Sequence, residues 1–221
     1  LNPPSAANTV ATGHPRSDLS RPKFKAVYEE ETQALRQKHG KFILINTNLL
    51  ANNAAGPDVN IRLNHVKPDE VEKRSYHIEQ FCYETHRQAH FVQLVNHLSN
   101  ACPDHQIVFR PHPSENIHIY NTMFRHIPRV VVTREGSLHA WLQACQVLIH
   151  DGCTTAVEGY LSETPVINYH PITDARFDIV VPNLVGLSCK TPEEAVNAIH
   201  GLDAGRPFPG ATPENLQQVT D

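Results

Sequence analysis

The sequence lacks any long apolar run. Its longest, Phe42-Ile43-Leu44-Ile45, falls far short of the about 20 residues that cross a bilayer as a helix. It also lacks the basic start, apolar stretch and small-residue cleavage site of a secretory leader. Cysteine is scarce: five residues, Cys82, Cys102, Cys145, Cys153 and Cys189, an odd number with no CxxC pair. That argues against a disulfide scaffold and for reduced thiols, so a cytoplasmic location is expected. There is no excess of one charge, since 19 basic residues face 23 acidic ones for a net −4. No basic field therefore points to nucleic acid or an anionic membrane. No G-x-G-x-x-G or Walker A segment occurs, which disfavours dinucleotide oxidoreductases and P-loop enzymes. Internal repeats and low-complexity tracts are missing too. What remains is 221 residues, 40% of them hydrophobic, enough to bury a proper core.

The ends read differently from the middle. Residues 1–21 open with Leu1 and a Pro-rich, polar stretch, and read as a linker. Residues 202–221 carry Gly205, Pro207, Pro209, Gly210 and Pro213 and read as a tail, closing in a short helix from Pro213. Between them, 22–201 forms one patterned domain. The chain is expected to be a piece of something larger.

Within that domain, Phe24 to Lys38 has helical spacing and is stopped by Gly40. Phe42 to Asn46 is a buried strand, followed by a long loop with Asn52, Asn53, Gly56 and Pro57. Asp69 opens a long helix whose expected core stripe is Val71, Ile78, Phe81, Cys82, Ala89, Val92, Val95 and Leu98. Then come strand 106–109, a helix around 117–124, strand 129–132, helix 138–145, strand 147–149, helix 154–161, strand 165–168, a strand near 185–187 and a helix over 192–199. Short, wholly apolar strands separated by helices indicate a parallel sheet covered on both faces. The expected fold is a doubly wound, Rossmann-like α/β domain. In such sheets ligands sit beyond the carboxyl ends of the strands.

Four strand ends carry unusual chemistry: Asn46-Thr47-Asn48; Arg110-Pro111-His112-Pro113-Ser114-Glu115; His150-Asp151-Gly152-Cys153-Thr154-Thr155 running on to Glu158; and Asn168-Tyr169-His170-Pro171. In the third, small residues open a helix, where backbone N–H groups and Thr hydroxyls can hold an anion. Alternatively Thr154 or Thr155 only caps that helix. Glu158, one turn on, can accept from a ribose diol or be a solvated helix residue. His112, between two prolines, is presented rigidly and can donate to a phosphate, or be a packed loop residue. Arg110 adds a second cation or an ordinary salt bridge. His86, His90 and His97 have a spacing that can bind zinc. Without the glutamate of HExxH or a cysteine in register, packing and solubility are expected of them, and no metal. Cys153 stands where a helix terminus lowers a thiol's pKa, but with no histidine partner fixed by the sequence it reads as a small packed residue.

Together these segments resemble a family. Gly13-His14-Pro15-Arg16-Ser17-Asp18 resembles the G-x-P-R-x-D segment between the two domains of GT-B glycosyltransferases. Arg110-Pro111-His112-Pro113 resembles the His-Pro motif of GT-B enzymes that use cytidine-nucleotide donors: bacterial sialyltransferases, Kdo transferases and CDP-glycerol glycerophosphotransferases. The segment from His150 to Glu158, with Thr164-Pro165, resembles their second phosphate-binding turn, Thr154-Thr155 standing for paired serines. Over most of Gly13 to Pro182 the chain is similar to bacterial surface carbohydrate biosynthesis proteins. The resemblance implies the C-terminal, donor-binding half of a GT-B fold. It implies that His112, with Arg110, Gly152, Cys153, Thr154 and Thr155, holds the donor phosphate of a CMP- or CDP-activated sugar or glycerol phosphate, and that Glu158 binds ribose. His112 would be the catalytic residue of this half. No cofactor is implied beyond the nucleotide donor. The acceptor would be a polysaccharide or glycolipid, and the partner a missing N-terminal domain, with peripheral membrane association of the whole protein. A UDP-sugar 2-epimerase-like domain and a nucleotide-binding module without turnover are the alternatives.

Overall fold

The computed structural model describes residues 15–50, 52–54, 63 and 65–211. Six strands, β1 (Phe42–Asn46), β2 (Gln106–Arg110), β3 (Val130–Val132), β4 (Val147–His150), β5 (Val166–Tyr169) and β6 (Leu187–Cys189), form one sheet. Their order is β3-β2-β1-β4-β5-β6 and every pairing is parallel. Parallel neighbours cannot be joined by a tight turn, so helices make the crossovers. The helices are α1 (Pro15–Leu19), α2 (Glu29–His39), α3 (Val71–Ala101), α4 (Ile117–Met123), α5 (Leu138–Ala144), α6 (Thr155–Leu161), α7 (Val180–Leu184) and α8 (Pro192–Asp203); α3 to α7 make the crossovers, α1 and α2 precede β1, and α8 follows β6. A 3₁₀ segment, Pro22–Tyr28, leads into α2.

Both faces of the sheet are buried, which is why the strands show no polar alternation. Ile43 and Ile45 face one core with Ile107, Phe109, Ile149 and Ile167, under Phe91, Leu94 and Leu98 of α3 and Ile199 of α8. Phe42 and Leu44 face the other with Val108, Leu148 and Val166, under Trp141 and Leu142 of α5.

Several sequence expectations shift. The buried stripe of α3 is Tyr83, Glu84, Arg87, Phe91, Leu94, Val95, Leu98 and Ser99; it keeps the expected Val95 and Leu98 but not Val71 and Ile78, which are 55% and 45% exposed. The true stripe includes two charged side chains, which an apolar pattern search passes over. The last strand begins at Leu187 instead of Val185, because Gly186 makes a left-handed turn (φ +94°) tight against β5, where an added Cβ would lie 2.4 Å from the Val166 carbonyl oxygen. Helix α7 was hidden by Pro182 and its β-branched neighbours. Helix α8 starts at a Thr191–Glu194 capping box and continues past Ile199 to Asp203. Part of the stretch read as a linker is α1, after which Ser20 is buried against His139 and Ser162. Phe208 of the tail packs on the core. Gly13, His14, Gly56, Pro57 and the helix from Pro213 lie outside the described residues. Among the described residues, no helix is long and apolar enough to cross a membrane.

Candidate functional site

The last row of the sheet is polar. Arg110 pairs in register with Asn46, Asn46 with His150, and His150 with Asn168, so these residues line one face where the apolar rows stop. The strand order reverses between β1 and β4, and there the crevice of an open α/β sheet opens.

The loop after β2 folds back on itself. Pro113 supplies the fixed φ of a turn's second position, and the Glu115 N–H closes the turn on the His112 carbonyl at 2.9 Å. The Ser114 N–H donates to His112 Nδ1 at 3.2 Å. In the neutral ring that leaves the proton on Nε2, which becomes the donor. Glu115, fully buried, accepts at Oε1 from Thr47 Oγ1 (2.8 Å) and the His112 N–H (3.0 Å), and at Oε2 from Tyr120 Oη (2.5 Å). Arg134 donates to the Glu115 carbonyl. The guanidinium of Arg110 donates to the carbonyls of Arg134 (3.2 Å) and Gly136 (2.8 Å), tying β2 to the loop after β3.

The turn after β4 depends on Gly152, whose φ of +64° a side chain would strain. Its N–H donates to Asn183 Oδ1 at 2.8 Å. Thr154 stands at the helix N-cap but is itself helical and makes no side-chain cap, so the plain capping role is not what it does; it is exposed. The Thr155 hydroxyl turns to Cys153 Sγ at 3.1 Å. Cys153 is buried, and burial pushes its thiol up, with Glu158 and Glu115 adding to the rise. It is a packed residue, as expected. Glu158 is buried too, which removes the solvated-helix alternative for it.

Beneath this turn lies a network the sequence did not announce. Arg87 of α3 is 5% exposed and donates to Asp151 Oδ2 (2.5 Å) and to the Asp151 carbonyl (2.7 Å). Burial opposes the charge on Arg87, but the adjacent Asp151 carboxylate more than restores it, so the guanidinium stays cationic. His170 Nε2 lies 3.2 Å from Asp178 and 3.8 Å from Asp151, and Tyr83 Oη donates to Asp178 at 2.5 Å. His150 is wholly buried; burial first, then Arg87 and His170, push its pKa down to about 3, the Val185 backbone opposing the drop only in part. It is neutral at any physiological pH.

The structure therefore sets His112 and the Gly152–Thr155 turn at one edge of one sheet, with only β1 between their strands. Glu115, Arg87, Asp151 and Asn183 were missed as functional or supporting residues. Glu115 had a signal, as a carboxylate at a strand end three residues after a proline-flanked histidine, and so had Asp151, at a strand end just before Gly152; Arg87 and Asn183 had none. Of the three α3 histidines, His97 sits 3.7 Å from Glu193, and no group of three metal-ligating side chains occurs among the described residues.

The architecture, a six-stranded parallel sheet with helices on both faces, is a Rossmann-like α/β fold. Solved structures of the wall teichoic acid polymerase TagF share it: a histidine-to-alanine variant (TM-score 0.52, 12% identity, 88% of this chain and 43% of that one) and a histidine-to-asparagine variant soaked with CDPG (TM-score 0.51, 12% identity, 88% and 41%). At that identity the likeness is one of fold. The chain spans about two fifths of those proteins. No protein-family model matches the sequence, and no curated protein does.

Proposed function

We propose that this chain is the donor-nucleotide-binding domain of a GT-B glycosyltransferase that takes a CMP- or CDP-activated donor for surface polysaccharide synthesis. The observation that carries the reading is the position of the His112 loop and the Gly152 turn on either side of β1, at the strand-order reversal. A donor phosphate there would receive the Nε2–H of His112, the Thr154 hydroxyl and backbone amides of the turn, while Glu158 would serve the ribose. The TagF fold, in a protein whose crystals were soaked with CDPG, supports the cytidine side of this reading.

The chemistry asked of this half is modest. Donors already in place stabilise charge as it grows on the departing nucleotide phosphate. The acceptor hydroxyl and its base belong to a second domain, so the 221-residue chain alone is expected to transfer nothing. A thermal-shift panel of CMP, CDP, UMP and UDP tests the reading. Ligand at about a hundred times Kd stabilises by roughly 2.7 kcal/mol, and the cytidine nucleotides should give it selectively. Hydrogen bonds to a charged group are typically worth about 1.5–3 kcal/mol, so His112→Ala should weaken binding about tenfold to a hundredfold. A preference for uridine turns the reading toward an epimerase-like domain. Silence toward all four, or a folded His112→Ala protein that binds CMP as well as the parent, overturns it.

A further inference from the structure

Glu115 is costly where it stands. Its side chain is fully buried, and among the described residues it has no ion-pair partner; its carboxylate is met by the neutral donors of Thr47, Tyr120 and the His112 N–H. A buried carboxylate without a cation is an expensive way to fill space that an apolar side chain would fill more cheaply. What it accomplishes is geometric. One carboxylate oxygen joins the end of β1, through Thr47, to the amide of His112; the other joins α4, through Tyr120, to the same loop. The Ser114 amide then engages Nδ1 of the ring. Backbone on one side and Nδ1 on the other leave Nε2 as the ring's available nitrogen.

We infer that Glu115 is a positioning residue that, through the His112 amide, presents His112 as a neutral Nε2–H donor to the donor phosphate. The inference rests on the nucleotide-site reading for the identity of the phosphate, but not for the state of the ring. It makes His112 a hydrogen-bond donor of fixed direction. Protonating Nδ1 would set two donors, the ring N–H and the Ser114 N–H, against each other.

Nitrogen-15 NMR of the histidine rings and CMP titration calorimetry test this on the whole chain. In the parent, His112 should show the single Nε2–H tautomer, and its amide should be protected from hydrogen exchange. Glu115→Ala should give a mixture of tautomers and about tenfold weaker CMP binding. Glu115→Gln, whose amide oxygen can still accept from the His112 N–H and the Thr47 hydroxyl while the Tyr120 hydroxyl reverses to accept from the amide nitrogen, should restore both. Because Glu115 acts through His112, the double variant with His112→Ala should bind no worse than His112→Ala alone. Additive losses in the double variant, an unaltered tautomer in Glu115→Ala, or a freely exchanging His112 amide in the parent each overturn the inference. If Glu115→Ala does not fold, the parent's tautomer and exchange decide it. If the parent ignores CMP and CDP, the nucleotide-site reading fails, and those same two measurements still judge Glu115.

Discussion

The ends of β2 and β4, two strands apart, hold their turns by opposite electrical means. At β2 a lone buried carboxylate gathers neutral donors, Thr47, Tyr120 and a backbone N–H. At β4 a full ion pair, Arg87 with Asp151, clamps the turn from a helix that crosses beneath it. The first arrangement divides its hold among several modest bonds and orients one ring. The second concentrates its hold in one contact and places backbone. The β4 end should therefore fail abruptly when broken, and the β2 end by degrees.

The largest effect is expected from Arg87→Met, which leaves Asp151 as an uncompensated buried charge. Removing one partner of such a pair typically costs about 3–5 kcal/mol, and the loss should appear as a lower midpoint in urea unfolding. A midpoint unchanged from the parent would mean that the pair is not the strut of the β4 turn.

His150 gives the next effect, and it depends on pH. Its folded pKa is about 3, below the ordinary value of about 6.5. The native protein thus binds fewer protons than the unfolded chain. The contribution of His150 to stability is complete above about pH 6.5 and is lost as pH falls from there toward 3. His150→Asn should flatten the acid limb of the stability curve relative to the parent. Parallel curves would show that the ring is protonated in the fold.

Gly152→Ala should cost about 1–2 kcal/mol from the left-handed backbone alone, with the new Cβ also 3.4 Å from Arg87. The smallest effect is expected at β2. Thr47→Val removes one of three bonds to Glu115 and should cost about 1 kcal/mol, leaving His112's tautomer as it was. A loss at Thr47 as large as that at Arg87 would erase the contrast between the two ends.

How much of this could be read beforehand follows from what kind of signal each residue leaves. The sheet was legible because strands buried on both faces are short unbroken apolar runs, as Phe42 to Ile45 and Val147 to Ile149 show. His112 was legible because two prolines mark it, and the β4 turn because Asp151-Gly152 precedes a pair of threonines. Arg87 left no such mark. Its neighbours on α3 from Tyr83 to Phe91 are charged, polar or aromatic except for Ala89, and its partner lies far along the chain, so nothing local distinguishes a buried arginine from a solvated one. The same reason misplaced the α3 stripe. Glu158 could be placed on a helix but not inside the protein, because burial depends on what α6 packs against.

The position of β1 has a consequence for how the chain is made. It is the first strand of this sheet to be synthesised and one of its two central strands, and both of its partners, β2 and β4, come much later in the sequence. Until β4 is complete, β1 has at least one bare edge, with Phe42, Ile43, Leu44 and Ile45 exposed to other chains. Such distant pairing also slows folding. A nascent chain halted before Val147 carries the longest apolar run of the sheet, Phe42 to Ile45, with the edge that β4 will cover still bare.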